Sequence, residues 1–127
     1  MFARHLIEAA TLDGASVELA VRLNWYRSLP LSCVERLGVA LDGTFLPTDR
    51  TTLELGGARC AIGELADQDQ RWWSVLDAAT VRVDLDAPPA PGPHAVDLLL
   101  GTRIPYLVSP TGEAAVIVDR ARAEVTR

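Results

Sequence analysis

The 127-residue chain contains no lysine: all twelve of its basic residues are arginine, against seventeen acidic residues. The net charge of −5 and the pI near 4.9 leave no strong positive field to gather phosphates, so nucleic-acid binding is disfavoured. The uniform use of arginine, together with the many alanines, is typical of a biased genome composition rather than of a function.

Cysteine is also scarce, and long apolar runs are absent. Cys33 and Cys60 are too few for a disulfide scaffold or for a zinc site of their own. No apolar run approaches 18 residues, and the first residues lack a basic region followed by a long apolar core. We therefore expect a cytoplasmic protein without a membrane partner.

The sequence does contain a hydrophobic pattern of period two. Apolar and polar residues alternate over residues 17–25, which predicts one long half-buried strand, and they alternate again over 81–85 and 96–100. Asp42-Gly43 and Gly56-Gly57 stand between apolar runs, a pattern typical of two-residue hairpin turns.

Helical signals are few. Residues 63–70 suit one polar turn, and we expect the tail from Asp119 to Val125 to be a short helix or a frayed segment. Short strands at spacings of about 8–12 residues predict an all-β, single-domain antiparallel β-sandwich of about seven to eight strands. The domain spans 1–127, with a tail over 109–127 whose structure the sequence leaves open.

The residue types that usually carry catalysis do not combine into a site. His5 and His94 are far apart in the sequence, and His94 is expected to be an exposed turn residue. Cys33 and Cys60 are expected in the core, and the carboxylates of residues 64–69 and 84–86 in solvated loops. We predict no catalytic residue, no cofactor and no metal ligand in this chain.

Aromatic residues and arginines concentrate in three loops, at residues 24–32, 71–73 and 103–107. Both residue types dominate protein interfaces, and Arg27, Arg71 and Arg103 stand beside the aromatics. The alternative is that one tryptophan, Trp25 first among them, fills the core and the others lie over its ends. The predicted partner-contact residues are Trp25, Tyr26, Arg27, Leu29, Pro30, Leu31, Trp72, Arg103 and Tyr106.

Across these segments the chain resembles the β subunit of C-glycoside deglycosidases. The resemblance covers about residues 12–108, and its most specific part is Tyr-Arg-Ser-Leu-Pro-Leu-Ser at 26–32. Two departures are Ser28, where the family tends to have glycine, and residues 87–90, which replace a glycine-rich approach to the next turn. The other matching pieces are residues 21–25, Val34-Glu35, Leu41-Asp42-Gly43, Glu64-Leu65, Trp72, Pro91-Gly92-Pro93-His94 and Arg103-Ile104-Pro105-Tyr106.

The resemblance implies an accessory β-sandwich subunit of a carbon–carbon lyase. Its larger α partner would be similar to a sugar isomerase/epimerase-type TIM barrel with a divalent metal, Mn²⁺. The implied reaction cleaves a 3-oxo-C-glycoside by elimination and releases an aromatic aglycone such as a flavonoid.

Two other functions stay open. One is a stand-alone carbohydrate-binding module that stacks sugars on Trp72, Trp73 and Tyr106. The other is a structural homo-oligomer in which the apolar loops pair with one another. The sequence leaves the aglycone, the stoichiometry and any contact with substrate undetermined.

Overall fold

The computed structural model describes residues 6–127, which form strands joined by turns and by three short 3₁₀ segments. His5 lies outside the described residues. All strand pairings within the described residues are antiparallel, which confirms the all-β prediction. The strands are β1 (Ile7–Asp13), β2 (Ser16–Val21), β3 (Leu29–Pro30), β4 (Val34–Leu41), β5 (Thr44–Phe45), β6 (Thr51–Leu55), β7 (Ala58–Ala61), β8 (Trp72–Trp73), β9 (Ala79–Asp84), β10 (Pro93–Val108) and β11 (Ala114–Thr126), and the 3₁₀ segments are Leu31–Cys33, Thr48–Arg50 and Ile62–Asp67.

The strands form two main sheets and a small ribbon. The five-stranded sheet has the order β1-β2-β9-β6-β7, the four-stranded sheet has the order β11-β10-β4-β5, and β3 pairs with β8 in the separate ribbon.

The two main sheets share one core, because successive side chains of a strand point to opposite faces. Alternate residues of β2 and of β10 are buried, and they belong to the same apolar cluster. The sheets therefore pack face to face as the predicted sandwich. The inward side chains are Val17, Leu19 and Val21 of β2 and Val96, Leu98 and Leu100 of β10.

Both predicted hairpin turns are confirmed. Asp42 and Gly43 connect β4 to β5 with φ angles of +50° and +87°, and Gly56 and Gly57 connect β6 to β7 with +61° and +82°. Positive φ at both central residues is the type I′ pattern, whose twist matches that of the flanking strands.

The structure has more strands than the sequence predicts, because β1, β3, β8 and β11 carry weaker local signals. The tail is a strand of 13 residues paired with β10 along its length, not a short helix or a frayed segment. Its core-facing residues Ile117, Ala121 and Val125 recur every fourth position. Residues four positions apart lie on one face of a helix, but they also lie on one face of a strand. The spacing therefore does not separate the two structures, which explains why the tail is not predicted as a strand.

The strand predicted over residues 17–25 is too long, because β2 ends at Val21. The backbone N–H of Arg22 donates to the carbonyl oxygen of Leu6, and the chain then bends through residues 24–27. Asn24, which the alternation places on the polar face, is fully buried instead. Its amide donates to the carbonyl oxygens of Leu100 and Ile117, at 3.3 and 3.1 Å.

Candidate partner interface

Four predicted contact residues meet at one end of the sandwich. The rings of Trp25 and Tyr26 lie 4.9 Å apart, and Nε1 of Trp25 donates to the hydroxyl of Tyr106 at 2.5 Å. The guanidinium carbon of Arg27 lies 5.5 Å from the ring centre of Tyr26 and 5.9 Å from that of Tyr106, within cation–π range. We call these four residues the aromatic cluster.

A break in the β10–β11 ladder positions Tyr106. Ile104 pairs with Ala115, and the next pair is Val108 with Ala114, so residues 105–107 have no partner on β11. Proline at 105 lacks the N–H that a ladder requires, which favours a bulge at this point. The bulge brings Tyr106 to the 24–27 bend.

The β3–β8 ribbon begins just after the 24–27 bend and carries a further exposed aromatic residue, Trp72. Leu29 pairs with Trp73 and Pro30 with Trp72, so one residue of each strand faces the core and the other faces outward. Trp72 is 59% exposed. Ser28, the departure from the family pattern, accepts a hydrogen bond from the backbone N–H of Val75 at 3.1 Å.

Trp73 fills the core, whereas Trp25 is half-buried at its margin. The interpretation that one tryptophan plugs the sandwich is therefore right, but the residue is not Trp25. The sugar-stacking surface loses one of its three predicted members, because a fully buried ring offers no face to a ligand. Trp72 and Tyr106 remain exposed.

Leu29 and Leu31, two of the predicted contact residues, also lie in the core, so neither side chain reaches the surface where a partner would bind. Arg103 donates to the Glu35 carboxylate at 2.9 Å and to the Ser32 carbonyl oxygen at 3.4 Å, and therefore braces the start of β4.

Arg71 also bonds to groups within this chain rather than pointing freely into solvent. Its guanidinium donates to Sγ of Cys60 at 2.8 Å and to the carbonyl oxygens of Leu55 and Ala58 at 3.0 and 3.2 Å. These bonds hold the β6–β7 hairpin. The sequence predicts that Arg27, Arg71 and Arg103 accompany aromatic residues at a partner surface. Among the described residues, Arg27 is the one of these three whose guanidinium lies over aromatic rings.

His94 is not the exposed turn residue that the sequence predicts, because only 11% of its side chain is accessible. Nδ1 lies 2.5 Å from a carboxylate oxygen of Asp42, and Nε2 lies 2.6 Å from the carbonyl oxygen of Ala90. The hydrogen bond with Asp42 raises the pKa of His94, and the same bond lowers the pKa of Asp42. The pair connects the β4–β5 turn to the start of β10.

Residues 6–127 contain no group of three or more His, Cys, Asp or Glu side chains that could hold a metal ion. In the same part of the chain, every buried side-chain nitrogen and oxygen has a hydrogen-bond partner. Among these residues, no helix is long and apolar enough to cross a membrane.

Comparison with known proteins gives a consistent result. Residues 6–106 match the family model described as C-glycoside deglycosidase beta subunit. The chain belongs to this family. A protein of that name from Microbacterium trichothecenolyticum is 36% identical over 110 residues, which are 85% of this chain and 83% of the relative.

Two further relatives carry related names. The 3'-dehydrocarminate deglycosidase beta subunit of a Microbacterium species is 38% identical over 112 residues, covering 84% of this chain and 82% of its own length. A C-glycoside deglycosidase beta subunit of Arthrobacter globiformis is 35% identical over 116 residues, which are 88% of this chain and 87% of the relative. The family match includes the whole aromatic cluster, whereas β11 lies beyond its end.

Proposed function

We propose that this chain is the accessory subunit of a heteromeric C-glycoside deglycosidase and binds a larger subunit through the aromatic cluster and Trp72. The relatives' name, beta subunit, implies a partner for those proteins. The observation that carries the proposal for this chain is an exposed aromatic–arginine surface at one end of the sandwich. Such residues bury a large area at a small entropic cost.

The chemistry is assigned to the larger subunit, a TIM barrel of the sugar isomerase/epimerase type. Residues 6–127 of this chain do not fit a metal site, so the divalent ion, Mn²⁺, belongs to that partner in the proposal. The substrate is a 3-oxo-C-glycoside with an aromatic aglycone.

The keto group explains why a substrate of this class can be cleaved. It acidifies the neighbouring C–H, so a base of the larger subunit can remove that proton. The released electron pair forms a carbon–carbon double bond in the sugar while the bond to the aglycone breaks. The aglycone carbon then takes up a proton, which balances the reaction.

Coexpression with a sugar isomerase-like protein encoded in the same gene neighbourhood tests this proposal. We expect the two proteins to co-purify and to cleave a 3-oxo-C-glucoside, and we expect the lone chain to be inactive. The double variant Tyr26→Ala/Tyr106→Ala should weaken the complex about tenfold or more, since aromatic contacts often dominate interface energy. Arg59→Ala, which removes an exposed side chain from β7, is the control and should bind normally.

Two results would overturn the proposal. Full activity of the lone chain would contradict the accessory role, and failure to co-purify would contradict the partnership. Saturable binding of sugars by the isolated chain, with a shift in tryptophan fluorescence, would favour the carbohydrate-binding module instead.

A further inference from the structure

The outer faces of the two main sheets differ in their charge pairing. Arg59 and Arg82 on the five-stranded sheet, and Arg22 at the end of β2, each have a carboxylate within 4 Å. These exposed pairs leave that face polar and electrostatically satisfied. The pairs are Arg22–Glu8 at 2.8 Å, Arg59–Glu54 at 3.5 Å, and Arg82 with Glu18 at 3.6 Å and Asp84 at 3.2 Å.

The outer face of the four-stranded sheet carries an exposed aromatic ridge. Phe45 of β5 is 56% exposed, although its ring lies against the backbone of Gly38 on β4. A β-carbon at position 38 would lie only 3.1 Å from Cε1 of Phe45, so glycine is what lets the ring lie this close. Val116 and Val118 of β11 add further exposed apolar surface on the same face.

A groove lies on each side of this ridge. The first, of about 440 Å³, includes Ala40, Leu99 and Arg120 in its lining. The second, of about 410 Å³, includes Arg36 and Leu99, and Phe45 lines both. Each groove also contains a carboxylate, Asp97 in the first and Glu35 in the second. Both are already paired within the chain, Asp97 with Arg122 and Glu35 with Arg103, so each groove keeps one further guanidinium group beside its apolar wall.

These two guanidinium groups have no acidic partner among residues 6–127. Neither Arg36 nor Arg120 forms an ion pair there, whereas Arg122 on the same face binds Asp97 at 2.6 and 3.1 Å. A guanidinium that is covered by another molecule loses hydration, and a carboxylate from that molecule can compensate for the loss. The surface that fits this face is apolar at its centre and acidic on both sides.

We propose that the outer face of the four-stranded sheet is a second docking surface for the larger subunit, which straddles the Phe45 ridge and places a carboxylate in each groove. This inference rests on the proposed function. A second copy of the chain fits less well, because the carboxylates that line the grooves, Asp97 and Glu35, already bind Arg122 and Arg103 and are not free to pair with Arg36 and Arg120 of another copy.

Titration of the co-purified partner with Arg36→Gln/Arg120→Gln tests the proposal, with Arg59→Gln/Arg82→Gln on the opposite sheet as the matched control. At about 50 mM NaCl we expect the first double variant to raise the Kd at least tenfold, and the control to stay within twofold of the wild type. The Kd of the first variant should also depend less on NaCl concentration, since fewer charges meet. Phe45→Ala should weaken binding without removing a charge.

The outcomes separate this inference from the proposed function. If the wild type forms no complex, both are overturned. If the wild type binds and both double variants bind equally well, only the second surface is overturned. Light scattering of the lone chain completes the test: a dimer that Arg36→Gln/Arg120→Gln dissociates would assign the face to a second copy and overturn the inference.

Discussion

Asn24 connects the end of the five-stranded sheet to two strands of the other sheet. Besides its bonds to the carbonyl oxygens of Leu100 and Ile117, it accepts a hydrogen bond from the Thr102 hydroxyl at 2.7 Å. Both Asn24 and Thr102 are fully buried. Because water cannot replace these bonds, the amide fixes where the chain enters the core.

We predict that Asn24→Ala lowers the free energy of unfolding by about 2–4 kcal/mol, because it leaves buried polar groups without partners. Urea unfolding measures the change. Thr80→Ala on β9 is the control, with an expected effect below about 0.5 kcal/mol. Equal effects of the two substitutions would contradict the structural role of Asn24.

His94 provides a second prediction at this scale. A neutral imidazole has one N–H, whereas its two nitrogens face two acceptors, the Asp42 carboxylate and the Ala90 carbonyl oxygen. The geometry therefore favours the protonated ring, in agreement with the raised pKa of His94. The lowered pKa of Asp42 keeps the carboxylate charged to a lower pH.

The raised pKa of His94 and the lowered pKa of Asp42 both stabilise the folded state, but the first contribution is lost at high pH and the second at low pH. The contribution of His94 is complete below its unfolded pKa, about 6.5, and is lost as the pH rises through the raised folded pKa. The contribution of Asp42 is present above its unfolded pKa, about 3.9, and is lost as the pH falls through the lowered folded pKa. Thermal midpoints of wild type and His94→Gln should therefore differ most between about pH 4 and 6.5, and the difference should shrink as the pH rises through the raised pKa of His94. A difference that does not change with pH would contradict the prediction.

At the scale of elements, the β10–β11 hairpin extends the sandwich beyond its other strands. β4 pairs with β10 from Val96 to Thr102, whereas β11 continues along β10 past this point to the bulge at residues 105–107. The far end of the hairpin therefore presents exposed Tyr106, Leu107 and Val108. This projection explains how one element contributes to the aromatic cluster and, through β11, to the second face.

Hydrogen exchange tests the strand assignment of the tail. We predict that alternate backbone amides of β11 exchange about a hundredfold more slowly than those of Ala87 and Ala90 in the proline-rich loop, because they donate to β10. Exchange of the whole tail at the rate of that loop would show that it is frayed.

For the whole molecule, the two proposed docking surfaces differ in character from the outer face of the opposite sheet, a difference that the composition does not show. The aromatic cluster lies at one end, and the Phe45 ridge lies on the outer face of one sheet. The opposite sheet carries paired charges. An acidic chain can thus present two unpaired arginines to an acidic partner surface, since the position of the charges matters more than their sum.

The sequence alone determined the all-β class, the two hairpin turns and the inward faces of the central strands, because alternation and turn chemistry act between near neighbours. It also named Trp25, Tyr26, Arg27 and Tyr106, which the structure brings together at one end of the sandwich. Their contact with a partner stays a prediction. Only the tertiary structure decided that Trp73 rather than Trp25 fills the core, that Asn24 is buried, and that Arg36 and Arg120 lack acidic partners among the described residues. Those outcomes depend on which distant side chains meet when the sheets pack, and local sequence periodicity does not specify such contacts.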